Sequence, residues 1–187
     1  MGLGNPGTDF EGTRHNVGAE VVAVLAERHG GKLRAEKGLR SVVTTMDVGG
    51  RRVLLAIPRT YMNDSGMAVL PLVRRAGVAD DLSNRLVVVH DELDLPPGRI
   101  RIKVGGGTAG NNGLKSIVAH LHSNEFLRVR IGIGKPPGRQ SGTDHVLRRP
   151  GRADRSLLDV AVEQAADAVE TILTEGAEAA MNRFNGA

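Results

Sequence analysis

The sequence predicts a single α/β domain spanning residues 1–187, in which a twisted mixed β-sheet has helices packed on it. Three observations predict this class. The chain has 187 residues, 40% of them hydrophobic, which is enough to fill one core. Strand-like and helix-like stretches alternate from end to end, the order expected of a sheet covered by helices. No internal repeat and no long low-complexity linker divides the chain.

Residues 15–29 (HNVGAEVVAVLAERH) have apolar side chains at helical spacing, begin after Thr13 as a cap, and stop at Gly30-Gly31. Segments 41–48 and 51–57 are rich in β-formers and flank Gly49-Gly50, which predicts a hairpin with a tight turn. Ser65 stands where it can cap a short helix ending at Gly77. Residues 85–90 (RLVVVH) read as a buried strand, and 98–104 and 126–133 as two more, with a helix over 112–121 between them. An irregular stretch rich in proline, glycine and arginine (135–152) precedes a long helix over 153–175. At the start, GLGNPG (2–7) has the spacing of a dinucleotide-binding fingerprint, which requires a strand before it and a helix opening at its last glycine. Here almost no chain precedes it and further loop follows. The expectation is a turn that lets backbone approach another element closely.

With no cysteine, disulfides and thiolate metal sites are excluded, and no apolar run is long enough to span a membrane. The amino terminus has no basic segment followed by an apolar one, so a soluble intracellular protein is expected. Net charge is +4, compatible with a polyanionic partner such as nucleic acid and equally with an ordinary enzyme. Aromatic side chains are limited to Phe10, Tyr61, Phe126 and Phe184. Reading of splayed-out bases usually needs several stacking rings, so a nucleic acid held here is held mainly through its phosphates and shape.

The residues able to do chemistry sit in short dense motifs: Asn5 in GLGNPG, His15 in TRHN (13–16), Asn63 in TYMNDSG (60–66), Asp91 in HDELDLP (90–96) and Asn112 in GGGTAGNNGLKS (105–116). His15, at a helix start, is either a surface polar residue or an imidazole able to take a proton from water near neutral pH. Asp91 ends a strand, where functional groups gather in open α/β sheets. It can orient an imidazole by accepting from one ring nitrogen, or it can be a turn residue before Pro96-Pro97. His90, Asp91 and Glu92 are also conceivable metal ligands, but neighbours on a strand point to opposite faces and no second cluster has ligand spacing. The asparagines are singly ordinary turn residues; as a set they offer neutral amides for a peptide-like substrate and a developing oxyanion. No serine or cysteine stands out as a nucleophile, which favours direct attack by water. The loop 105–113, with five glycines in nine residues, can cradle an anion or move as a gate. Lys103, Arg128 and Arg130 either hold a phosphate beside it or form a solvated sheet face.

Together these motifs resemble the bacterial peptidyl-tRNA hydrolases. GLGNPG, TRHN, YMNxSG, HDELDLPPGxxRxKxGGG and RIGIGKPPG occur in the family's order and spacing, from Gly2 to about Phe184. The resemblance implies cleavage of the ester joining a peptide to the terminal ribose of tRNA, which recycles tRNA from prematurely released chains. It implies that His15 is the general base and Asp91 its orienting partner. It also implies that Asn5, Tyr61, Met62, Asn63, Asn111 and Asn112 bind the peptide and ester end. Lys103 and Arg130, with Arg128 beside them, would clamp the 5′ phosphate at the tRNA acceptor stem. No metal or organic cofactor is implied, and the family is usually monomeric and cytoplasmic.

Two departures stand out. Asn111 occupies the position where the family commonly has histidine (GGHNG); an amide keeps some hydrogen bonds but transfers no proton, so retuned activity is expected. Family members also carry a short apolar strand before GLGNPG, of which only Met1 is present; either the chosen start is too late and a few residues are absent, or a weakened strand beneath Asn5 is tolerated. These departures leave an alternative, an RNA-binding relative of the fold with weak or no hydrolase activity.

Overall fold

A computed structural model of the chain describes residues 1–136, 138 and 141–186. Helix α1 (Val17–Arg28) is followed by a short strand β1 (Arg34–Glu36) and by the hairpin of β2 (Ser41–Val48) and β3 (Arg51–Pro58). The hairpin turns where expected, because Gly49 and Gly50 adopt φ of 59° and 77°, accessible to glycine at little cost. These strands form an antiparallel sheet in the order β1-β2-β3. After α2 (Ser65–Ala76) and the single turn α3 (Leu82–Arg85) come β4 (Val87–Glu92), β5 (Ile100–Val104), α4 (Asn112–Leu121) and β6 (Leu127–Gly132). They make a second sheet ordered β4-β6-β5, with β4 parallel and β5 antiparallel to β6. The chain closes with α5 (Gly142–Val146), α6 (Arg152–Glu175) and α7 (Ala177–Phe184).

The first three residues join the two sheets. The N–H of Gly2 donates to the carbonyl of Ala56 in β3 at 3.0 Å, and that of Leu3 donates to the carbonyl of Val89 in β4 at 3.0 Å. Val89 donates back to Met1 at 2.9 Å, and the Met1 ammonium donates to the Val87 carbonyl at 2.8 Å. Residues 1–3 thus supply the rungs next to Asn5. Burial in this seam lowers the Met1 amine to a pKa of about 5. Beside Met1 the seam widens into a cleft of about 740 Å³ lined by Val53, Leu55, Leu86 and Val87 among others.

Alternation along the strands sends apolar side chains to both faces. On one face Val89, Ile100, Ile102, Leu127, Val129 and Ile131 pack against Val21 and Leu25 of α1 and Leu158, Val162, Val169 and Ile172 of α6. On the other, Leu3, Met62, Val88, Leu114, Ile117 and Phe126 pack beneath α2 and α4. Each such side chain fully withdrawn from water contributes roughly 2 kcal/mol before entropy is counted. Two close approaches depend on missing side chains. A Cβ at Gly18 would overlap the Val89 carbonyl, and one at Gly2 would overlap the Gly18 carbonyl, so α1 lies directly on the seam.

Several details differ from the sequence expectations. Thr13 does not cap α1; its hydroxyl donates to the Phe10 carbonyl at 2.7 Å, and residues 14–16 form a 3-10 turn first. Ser65 does not cap α2 either, because its buried hydroxyl donates to the Met62 carbonyl at 2.8 Å. Within the irregular stretch 135–152, residues 142–146 form α5, while residues 137, 139 and 140 lie outside the described residues.

Candidate active site

The seam delivers the GLGN turn to the carboxyl end of β4. There the side chain of Asn16 pairs with the backbone of Asn5: its Oδ1 accepts from the Asn5 N–H at 2.8 Å and its Nδ2 donates to the Asn5 carbonyl at 2.9 Å. This double bond-pair continues the strand by one rung through a side chain. Asn5 in turn accepts the Met62 N–H on its Oδ1 at 2.8 Å, which fixes the amide so that its Nδ2 donors face away from Met62. Sequence reasoning missed Asn16. Its place in TRHN marked it only as a neighbour of His15, and no pattern distinguishes a side chain that grips a loop from one that caps a helix.

His15 follows from Arg14, which is buried and donates to Asp154 at 2.9 Å and to the Arg148 carbonyl at 3.3 Å. That anchor ties the 3-10 turn to the amino end of α6 and holds the imidazole over β4. Nδ1 of His15 lies 2.8 Å from Oδ2 of Asp91, whose side chain is only 3% exposed. A carboxylate can only accept here, so Nδ1 carries the proton and Nε2 keeps a free lone pair. The other carboxylate oxygen of Asp91, Oδ1, accepts from Nδ2 of Asn111 at 3.2 Å. The carboxylate is therefore held at both oxygens.

His90 and Glu92 do not join Asp91 as a ligand set. The His90 Nδ1–H donates to the Asp91 carbonyl at 2.7 Å, and Glu92 accepts from Nε of Arg130 at 3.2 Å. Among the described residues no three His, Asp or Glu side chains gather in a way that could hold a metal ion.

Lys103, Arg128 and Arg130 do share a face, as their alternation predicted, since Lys103 pairs with Arg128 across β5 and β6. Arg128 nevertheless departs from the phosphate role expected of it. It is fully buried, stacks on Phe126 with the guanidinium carbon 4.7 Å from the ring centroid, and donates to the carbonyls of Gly107 at 2.7 Å and Gly106 at 2.8 Å. Its terminal nitrogens are committed to these two carbonyls and, at 3.2 Å, to that of Asn124, so it staples the glycine loop to the sheet, while its Nε has no partner. Lys103 and Arg130 keep part of their surface open to solvent. Burial, then the charges of Arg130 and Arg128, lower the affinity of Lys103 for its proton. A cation so crowded by cations gains from an added anion.

Met62 also departs from expectation. Its side chain is 3% exposed and packs in the core, where a Cβ on Gly113 would overlap its sulfur, so it serves the site through its backbone N–H and not as a wall. Asn63 and Asn112 are exposed, the first in the 3-10 turn 62–64 and the second at the start of α4. Tyr61 is 60% exposed and meets Phe10 edge-on, their ring centroids 6.3 Å apart. None of these residues lines the 740 Å³ cleft, which lies elsewhere along the seam.

A sequence model of the family described as peptidyl-tRNA hydrolase matches residues 1–187. The chain belongs to the peptidyl-tRNA hydrolase family. It is 50% identical to the peptidyl-tRNA hydrolase of Cutibacterium acnes, an alignment covering 99% of this chain and 96% of that one. It is 47% identical to the peptidyl-tRNA hydrolase of Mycobacterium tuberculosis over 99% of this chain and 95% of the relative. The crystal structure of the Acinetobacter baumannii peptidyl-tRNA hydrolase superimposes with a TM-score of 0.91 at 38% identity, over 98% of this chain and 92% of that one. Single-domain α/β architecture and family membership therefore agree with the resemblance read from the motifs.

Proposed function

We propose that the chain hydrolyses the ester between a peptide and the terminal ribose of tRNA, with water as nucleophile and His15 as general base. The carrying observation is the 2.8 Å contact of His15 Nδ1 with the buried Asp91 carboxylate, which leaves Nε2 as the basic nitrogen. Water adds to the ester carbonyl as Nε2 takes its proton; the tetrahedral oxyanion then collapses, the ribose oxygen leaves, and the imidazolium returns the proton to it. Asp91 stays ionised and stabilises the imidazolium formed in between. Nδ2 of Asn5, with the exposed amides of Asn63 and Asn112, supplies neutral donors to the peptide and the oxyanion. Ser65 is no rival nucleophile, since it is buried and bonded to Met62.

Lys103 and Arg130 bind the 5′ phosphate of the acceptor stem in this reading, and Tyr61 offers its exposed ring to the substrate. The protein works as a monomer in the cytoplasm, without metal or organic cofactor. Among the described residues no helix is long and apolar enough to cross a membrane. Release of N-acetylated amino acid from tRNA by the purified chain in EDTA tests the reaction; intact substrate alongside retained tRNA binding would favour an RNA-binding role instead.

A further inference from the structure

One planar amide connects the glycine loop, the first turn of α4 and the catalytic pair. Oδ1 of Asn111 accepts the Leu114 N–H at 3.0 Å, the bond of a helix cap, and Nδ2 donates to Oδ1 of Asp91 at 3.2 Å. The helix N–H can only donate, so it settles which end of the amide is oxygen and which end meets the carboxylate. Asn111 is itself held by its backbone, its N–H donating to the Thr108 carbonyl at 2.9 Å and its carbonyl accepting from Lys115 at 3.1 Å. At the far end of the same loop, Arg128 grips Gly106 and Gly107.

We propose that Asn111 is a positioning residue that ties the amino end of α4 to Asp91 and so fixes the orientation of the His15–Asp91 pair. This rests on the hydrolytic reading of that pair. A carboxylate held through one oxygen alone can rotate about its last bond and carry the imidazole with it. The second bond, to Asn111, removes that freedom and satisfies the remaining oxygen of a buried charge. One Nδ2 proton goes to Asp91 and the Leu114 N–H occupies Oδ1, so the bond to Asp91 is the route by which Asn111 acts on the pair. An amide also gives Asp91 a donor that does not titrate. The charged groups on neighbouring elements are engaged elsewhere: Arg14 with Asp154, Glu92 with Arg130, and the His90 ring with the Asp91 carbonyl.

The test compares Asn111→Ser and Asn111→Asp with the parent chain. Serine and aspartate are both good helix caps, so both keep the bond from Leu114. Serine has no amide to reach Asp91, so kcat on N-acetylaminoacyl-tRNA falls about 10-fold at unchanged KM, the scale of one hydrogen bond to a charged group. Aspartate sets a second carboxylate against Asp91, and the added negative charge strengthens the hold of His15 on its proton. The acid limb of the kcat/KM profile then moves to higher pH, and the His15 titration followed by NMR moves with it. That titration needs no turnover. An inactive parent would therefore sink the hydrolase reading while the titration still reads the contact. Superimposable His15 titrations of the parent and N111D would overturn the proposal. So would N111S with unchanged kcat, including the case of a raised KM, which would make Asn111 a substrate contact.

Discussion

Whether His15 can act as a base is decided by a single proton. In the proposed reaction the Asp91 carboxylate holds that proton on Nδ1, and the lone pair this leaves on Nε2 would take the proton from water. The neighbouring cations do different work, and substitution separates them. If Lys103 holds a phosphate as proposed, Lys103→Ala should weaken tRNA affinity and make the slope of log K against log salt shallower by roughly one. Fluorescence titration of tRNA at several salt concentrations checks this; an unchanged slope would move the phosphate site elsewhere. At this scale the motifs anticipated which side chains meet, as with the imidazole of His15 and the carboxylate of Asp91. They were uninformative where burial decides. Alternation put Arg128 on the face of Lys103 and Arg130, yet nothing in LRVRI (127–131) says that Phe126 and two glycine carbonyls enclose one guanidinium. Asn16 escaped for a similar reason, since its partner is the backbone of Asn5, eleven residues away.

Strand β4 carries both Asp91, the proposed partner of His15, and the neighbouring His90, whose ring is bonded only to backbone. His90 is buried, donates through Nδ1, and leaves Nε2 without a partner. Burial is the main cause lowering its affinity for a proton, outweighing the nearby Asp91 charge. In the unfolded chain the ring takes a proton near its ordinary pKa of about 6.5, while the folded chain resists until lower pH. The unfolded state then binds more protons below about pH 6.5, so stability falls as pH drops through that window. Urea midpoints at pH 7.5 and 5.5 should differ less in His90→Leu than in the parent; an equal difference would show that His90 does not titrate this way. Elements themselves were legible where glycine punctuates apolar periodicity. The hairpin around Gly49-Gly50 and the helix 112–121 match β2, β3 and α4 almost residue for residue. The short β1, α5 and α7 carried too few periodic positions to be read. Strand-end residues shifted because pairing partners set them, as when Leu86 already bonds to Leu127 before β4 begins.

Across the whole molecule, residues 1–3 hold two sheets together and lead into the Asn5 turn, whose backbone is gripped by the Asn16 side chain. Helix α1 can lie on that seam only because Gly18 has no side chain. Gly18→Ala forces a methyl against the Val89 carbonyl and should cost at least the roughly 1–3 kcal/mol typical of overpacking, read as a lower urea midpoint with hydrolysis of peptidyl-tRNA falling alongside. An unchanged midpoint would mean that the seam opens freely and does not set the site. The sequence announced the glycine-rich turn as a close backbone approach, but the identity of its partner, a helix lying across two sheets, required the fold. The most direct test of the account as a whole is single-turnover hydrolysis of N-acetylaminoacyl-tRNA at saturating protein, comparing the parent with His15→Ala in EDTA. The predicted result is release by the parent and a rate at least about 100-fold lower for the variant, the scale of a lost general base, with tRNA affinity unchanged. Equal rates for the two proteins would contradict it.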